Sequence, residues 1–253
     1  MTEWTNERAI ARWSQLPRDL LTETAENGDF CKQHLVNPVL LRLLGDVTGR
    51  RILDAGCGNG YLSRMLANRG AHVTGAEPAA GLLAFCAELE QAEPLGIAYV
   101  QADLGDLPSR TELGEFDAVV ASMVLPAVPD WTSALAGCVS RLRSGGRLIF
   151  SLNHPCFEQL AGTWRQHGAY QLTEYLASYA IEQRYATDFH RPLSAYLNET
   201  IRLGLRIAEV AEPGLDPAVA ASDPAWSAGE AGEAGEHPYV HLPNFLIVAA
   251  DLA

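Results

Sequence analysis

The chain of 253 residues carries 31 acidic against 18 basic side chains, a formal charge of −13, and nowhere gathers five or six Lys or Arg together. Partners held by their phosphates, whether DNA, RNA or an anionic lipid surface, need a basic face and are disfavoured. A hydrophobic share of 48% with 19% charge is that of a globular protein, and the length suits one large domain or a domain with an insertion.

Residues 1–48 read as helical, with Val36, Val39, Leu40, Leu43 and Leu44 able to share one face. From position 51 a strand-helix alternation sets in. Arg51 to Ala55 is a short apolar run ended by glycines, and Leu62, Met65 and Leu66 recur at helical spacing until Gly70. A strand over His72 to Ala76 is followed by a helix with Leu82, Leu83, Cys86 and Leu89 inward. Strands over Ile97 to Val100 and Phe116 to Ala121 come next, then a helix with Leu135, Val139 and Leu142 inward. Ser144-Gly145-Gly146 turns the chain into a strand over Arg147 to Leu152. Right-handed crossovers between such units require a mostly parallel sheet covered on both faces, so the fold class is α/β, doubly wound.

The regularity lapses over residues 154–190, which are read as an insertion. It resumes with a helix from Pro192 to Leu203, Gly204, and two strands over Leu205 to Val210 and Asn244 to Ala250. Between those strands, residues 213–236 hold acids but no Lys or Arg and end in a biased Ala/Gly/Glu run, which predicts a mobile acidic loop. The division expected is 1–48 as a helical segment over the site, 49–153 as the binding core, 154–190 as a cap and 191–253 as the rest of the sheet. Five cysteines without a CxxC pair suggest neither a disulfide framework nor zinc, and no His/Cys/acid cluster has metal spacing. The polar start Met1 to Arg8 and the lack of a bilayer-length apolar run lead to the expectation of a soluble cytoplasmic protein. The oligomeric state is not legible.

The informative segment is Leu53-Asp54-Ala55-Gly56-Cys57-Gly58-Asn59-Gly60-Tyr61, which leaves a strand and enters a helix. Its glycines permit tight turning and close approach of a ligand to the backbone. A dinucleotide fingerprint, G-x-G-x-x-G, would put its third glycine where Tyr61 stands, so the spacing is G-x-G-x-G instead. Asp54 suits an ammonium group better than a pyrophosphate. Glu77, twenty-one residues beyond Gly56 at the end of the second strand, can accept both hydroxyls of a ribose. Asp103, after the third strand, can accept from an exocyclic adenine amine, with Leu104 as an apolar wall. Each acid alone also fits a solvated loop; together they fall at the carboxyl ends of three successive strands, where such sheets bind ligands.

On these residues, and on Gly75-Ala76-Glu77-Pro78, Gln101-Ala102-Asp103-Leu104, Phe116 to Ser122 and Ser144 to Leu148, the sequence resembles the class I S-adenosylmethionine-dependent methyltransferases. The resemblance is to their small-molecule branch, with a domain of the type 11/25 kind. It covers roughly residues 36–152 and implies a seven-stranded sheet with the last strand antiparallel. It also implies S-adenosyl-L-methionine as cofactor. Asp54 and the loop Gly56-Cys57-Gly58-Asn59-Gly60 would hold the methionine part, Glu77 with Pro78 the ribose, Asp103 and Leu104 the adenine, and Ser122 and Met123 the wall near the sulfonium. Lys32 and His34 are both open as the ligand of the cofactor's carboxylate.

The expected activity is methylation of oxygen or nitrogen, with carbon a further option, on a small organic molecule. Ala121-Ser122-Met123-Val124-Leu125 stands where enzymes acting on DNA amines carry Asn/Asp-Pro-Pro-aromatic. Cys156, superficially placed like a pyrimidine-C5 nucleophile, reads more simply as a small buried thiol. Seven of the chain's twenty aromatics fall within 154–190, a density that suits a lid over an apolar acceptor or a small core of its own. His154, following the fifth strand and ahead of Pro155, is the candidate general base, with a structural strand-end role as the competing reading. His167, Tyr170 and His190 are weaker candidates. The alternative functions are a non-methylating reaction such as a cyclisation on the same fold, or a non-catalytic partner protein.

Overall fold

A computed structural model describes residues 4–223, 226 and 236–253. Three helices open the chain, α1 Asn6–Trp13, α2 Arg18–Glu23 and α3 Asn37–Leu44. The order then runs β1 Arg51–Ala55, α4 Tyr61–Ala67, β2 His72–Ala76, α5 Ala80–Ala92, β3 Ala98–Val100, β4 Phe116–Ser122, α6 Trp131–Val139 and β5 Leu142–Asn153. It continues with α7 Leu160–His167, β6 Tyr179–Glu182, β7 Thr187–His190, α8 Leu193–Arg202, β8 Leu205–Ala211, α9 Pro217–Ala220 and β9 Phe245–Leu252.

The main sheet has seven strands in the order β3-β2-β1-β4-β5-β9-β8, with β9 antiparallel to both its neighbours. Successive side chains of a strand point to opposite faces. Ile52, Val73, Val120, Ile149 and Ile247 therefore enter one core with Leu40 and Leu66, while Leu53, Val119, Leu148, Phe150 and Val248 enter the other with Leu135 and Tyr196. Burial on both faces is why these strands read as continuous apolar runs. No helix of the described residues is long and apolar enough to cross a membrane.

Several boundaries differ from expectation. Leu142 belongs to β5, not to the preceding helix, which stops at Val139. Ser144-Gly145-Gly146 is an irregularity inside β5: Phe116 pairs with Leu142 but Ala118 with Arg147, and Gly145 takes φ 71° to absorb the extra residues. On α5, Phe85 joins Leu82 and Cys86 in the buried face while Leu83 and Leu89 are half-buried, because the N-terminal helices dock there and recruit Phe85. Pro192 sits one residue ahead of α8 with extended ψ, as the cap.

Residues 154–190 fold as α7 and the separate hairpin β6–β7. The hairpin abuts the N-terminal segment: Trp4 meets the Phe189 ring edge-on at 5.8 Å, and Arg12 donates to the Gln183 carbonyl. The expectation of a mobile loop over 213–236 is corrected for its first part. Leu215 and Asp223 are buried and Asp216 caps α9, so residues 213–223 are packed structure. Residues 224–225 and 227–235, with most of the biased acidic run, lie outside the described residues.

Candidate active site

The loop between β1 and α4 is built by backbone conformation. Gly56, Gly58 and Gly60 take φ of 75°, 58° and 82°, the left-handed region that favours glycine. The amides of Gly56 and Cys57 both donate to the Ala76 carbonyl at 2.8 and 3.0 Å, which draws the loop against the end of β2. A side chain at Gly56 would strike Val124 at 2.6 Å, and one at Gly60 would strike Tyr99 and Cys86. At Gly58 nothing lies within 4 Å. The loop is thus sealed at its two ends and open at its middle.

Glu77, at the end of β2, is 6% exposed and braces this opening. Its Oε2 accepts from the Gly58 amide at 3.0 Å and its Oε1 from the Ala79 amide at 2.9 Å. Burial nonetheless pushes its carboxyl up to about 7, the backbone bonds only partly opposing the desolvation. Asp103 caps a 3-10 turn, Leu104–Ser109, by accepting from Gly105, and its other oxygen accepts from the Asn6 side-chain amide at 3.2 Å.

Over the loop lie α1 and α2. Asn59 donates from its side chain to the Leu21 carbonyl and the Thr24 hydroxyl at 3.0 and 2.9 Å, pinning the N-terminal helices above the glycines. Between them is a cavity of about 310 Å³, a size found among ligand sites. Its polar end holds Cys57, Gly58, Glu77, Pro78 and Asp103; its apolar part runs from Leu104 and Met123 through Val124, Ala127, Val128 and Pro129 to Ile10, Trp13 and Leu20.

Of the expected cofactor residues, Gly56, Cys57, Gly58, Asn59, Glu77, Pro78, Asp103, Leu104, Ser122 and Met123 all line this one cavity. Asp54 and Gly60 do not. Asp54 is 2% exposed beneath the loop, where Ser63 Oγ donates to it at 2.6 Å, and burial raises its carboxyl to about 6. It supports the loop from behind, so the expectation that it faces a ligand's ammonium is corrected. Gly60 is turned inward against Tyr99 and Cys86. Lys32 lines the cavity and pairs with Asp29 at 3.4 Å, whereas His34 packs on Phe30 and does not reach it.

His154 is also placed elsewhere. It is 3% exposed, outside the cavity lining, and both ring nitrogens are engaged. Nδ1 accepts from the Cys156 amide at 3.1 Å and Nε2 lies 2.7 Å from Glu212 Oε1. An imidazole whose Nδ1 accepts carries its proton on Nε2 and donates it to the carboxylate, which leaves no free basic nitrogen. The general-base expectation is therefore corrected to a structural tie between the end of β5 and the end of β8. The aromatics of 154–190 likewise contribute nothing to the cavity lining; Phe157, Trp164 and Tyr170 pack on the main core and Phe189 on Trp4. His190 bonds Glu158 and the Tyr175 carbonyl inside the insertion. His154→Ala should cost about 1–3 kcal/mol of stability in a denaturant titration, with nucleoside ligand affinity unchanged. A turnover loss of 10² or more at unchanged stability would restore the base.

Sequence reading had no means to name Asn6, Trp13 or Val124. The apolar spacing Ala9, Ile10, Trp13 and Leu16 did carry a helix signal, but periodicity does not say what a face covers.

Comparison with known proteins follows the same core. Residues 53–150 match a family model described as a methyltransferase domain. The chain is 35% identical over 131 residues to a ubiquinone biosynthesis O-methyltransferase of Glaesserella parasuis, covering 49% of this chain and 56% of that one. It is 40% identical over 127 residues to its namesake from Alkalilimnicola ehrlichii, covering 48% and 51%. The chain thus spans about half the length of these curated relatives. Among solved structures, an S-adenosylmethionine dependent methyltransferase from Mesorhizobium loti superposes with a TM-score of 0.65 at 26% identity, over 85% of this chain and 96% of that one.

Proposed function

From the class I, S-adenosylmethionine-dependent methyltransferase domain that this chain carries, we propose that the protein methylates a small organic molecule, on oxygen in the first instance and on nitrogen as the second option. The observation that carries the proposal is that one cavity joins the open middle of the glycine loop, Glu77 and Asp103 to an apolar wall under Trp13. The oxygen preference is drawn from the curated O-methyltransferases.

The residues fit the cofactor. The empty space over Gly58 lets a ligand lie against bare backbone, and Glu77 beside it presents an acceptor for ribose hydroxyls. Asp103 and Leu104 are assigned to the adenine, Lys32 to the carboxylate, and Ser122 with Met123 to the reacting end. When bound, S-adenosylmethionine supplies an electrophilic methyl group on its sulfonium. The chain's own part is to bind, orient and exclude water. Ile10, Trp13 and Leu20 close the cavity from above, and Val124 to Pro129 supply a wall that holds an acceptor by contact rather than by charge. No protein base is assigned, since His154 is committed to Glu212.

The test has two parts. Calorimetry with S-adenosylmethionine and S-adenosylhomocysteine should give binding to both, and methyl-labelled cofactor with a panel of phenols and amines should give a product heavier by one methylene. Silence in calorimetry with folded protein overturns the cofactor assignment; binding without product on any acceptor overturns the transfer. The first part also has a pH signature. With Glu77 near 7 in the free protein, its acceptor form is a minority at pH 6 and dominant at pH 8, so affinity should rise about fivefold to tenfold over that interval. Stability runs the other way. Folded carboxyl values near 6 and 7 exceed the ordinary range, the folded state binds the extra proton, and stability falls as pH rises from about 4 through 7. Glu77→Gln should flatten the affinity slope; a flat wild-type profile would remove Glu77 from the binding step.

A further inference from the structure

The apolar wall of the cavity comes from one short segment, the link from β4 to α6. It has few backbone bonds of its own: Ala127 donates to the Val124 carbonyl at 2.9 Å and Val128 to that of Leu125 at 3.3 Å. Three carbonyls of the link, that of Leu125 among them, converge on a single side chain from beyond the hairpin. Arg191 donates from Nη1 to the Leu125 carbonyl at 3.1 Å and to Tyr196 Oη at 3.3 Å, and from Nη2 to the carbonyls of Val128 and Pro129 at 2.8 and 3.2 Å. Its guanidinium lies 5.4 Å from the ring centroids of both Trp131 and Phe189, and the residue is 8% exposed.

Burying a guanidinium is costly unless its donors are met and its charge is balanced. Here three carbonyls and a hydroxyl take the donors, and the carboxylates of Glu158 and Asp188 lie near enough to feel its charge. A planar fork of donors can bind three carbonyls spread over five residues of chain, which a single ammonium cannot match. Arg191 is not itself in the cavity lining, yet it holds the backbone carbonyls of Leu125, Val128 and Pro129 in the segment whose Val124, Ala127, Val128 and Pro129 line the cavity. Phe189, stacked against its guanidinium, also touches Trp4 at the start of the N-terminal roof.

We propose that Arg191 is a positioning residue that sets the shape of the acceptor-side wall, and so selects which acceptors the cavity admits, without taking part in cofactor binding. The proposal rests on the methyltransferase reading above and assigns a role to the residue that directly follows the insertion: it buttresses the wall from outside. The substituent it controls is the apolar body of the acceptor, since the surface it shapes carries no charged side chain.

The experiment uses the full chain saturated with S-adenosylhomocysteine and a neutral, flat fluorophore, N-phenyl-1-naphthylamine, as acceptor-side probe. The wild type should bind the probe. Arg191→Met should weaken it by about tenfold or more and Arg191→Lys by less, with S-adenosylhomocysteine affinity changed under about threefold in both. Val128→Trp, which keeps the arginine and fills the wall, should exclude the probe equally and keeps the test open if an arginine variant fails to fold. A parallel screen of labelled acceptors should show that the arginine variants change relative KM values between acceptors more than kcat. Probe binding at wild-type strength in Arg191→Met, loss of both ligands together in folded Arg191→Lys, or no probe uptake by the wild type would each overturn the proposal. Failure of the wild type to bind S-adenosylhomocysteine would instead overturn the methyltransferase reading on which it rests.

Discussion

Replacing Gly137 by alanine is expected to destabilise the protein by about 3 kcal/mol or more, a large share of the stability of an ordinary domain. Gly137 lies in α6, and a Cβ there would sit 1.8 Å from the Leu104 carbonyl oxygen and 2.9 Å from its carbon. These are backbone atoms of the 3-10 turn Leu104–Ser109, so no side chain can rotate away. The helix can accept alanine only if the turn retreats by more than an ångström, and that turn begins at Asp103, its cap. The folded remainder should consequently bind S-adenosylhomocysteine more weakly, a coupling of stability to the site. Gly162 is the control. It is also helical, in α7, but nothing lies within 4 Å of its Cβ position, so Gly162→Ala should be neutral or stabilise by up to about 1 kcal/mol through helix propensity. Chemical denaturation of the two variants decides the matter: midpoints within error of each other would mean that α6 and the turn are not held as closely as described.

Glu77→Ala is expected to weaken S-adenosylmethionine and S-adenosylhomocysteine alike by about 10- to 150-fold, the equivalent of 1.4–3 kcal/mol for hydrogen bonds accepted by an ionised group. Two losses combine. The ribose loses its acceptor, and the amides of Gly58 and Ala79 lose the carboxylate that aligns them. Stability should lose the share of its pH dependence that comes from a carboxyl raised to about 7, so the fall between about pH 5 and 8 should be shallower in the variant than in the wild type. Calorimetry and denaturation on the same preparation read the two effects separately. Unchanged affinity would detach Glu77 from the ligand and leave it a brace of the loop.

The features legible in the chain alone are local and periodic. Ile52 and Leu53, Val119 to Ala121 and Leu148 to Phe150 are apolar without interruption because both faces of their strands are covered, and that run-length is visible in one dimension. The glycine loop was equally legible: three glycines at alternate positions leave a chain that can take positive φ where other residues rarely do, and all three take it. The carboxylates Glu77 and Asp103 could be placed because a parallel sheet puts the ends of successive strands side by side.

Tertiary structure decided everything that depends on what a face is buried against. Asp54 and Glu77 are both acids next to the same loop, yet one points beneath it to Ser63 and the other lines the opening, a difference of side-chain direction set by packing. Lys32 and His34 are two residues apart, and only the turn of the helical segment chose Lys32 for the cavity. His154 looked free because its partner Glu212 is 58 residues away, and nothing local marks Arg191, whose carbonyl partners precede it by 62 to 66 residues. The aromatic insertion packs beside the roof, leaving the closure of the cavity to α1 and α2. Periodicity specifies that a side chain is buried, whereas the identity of its neighbour follows from how whole elements stack, and that is a property of the assembled fold.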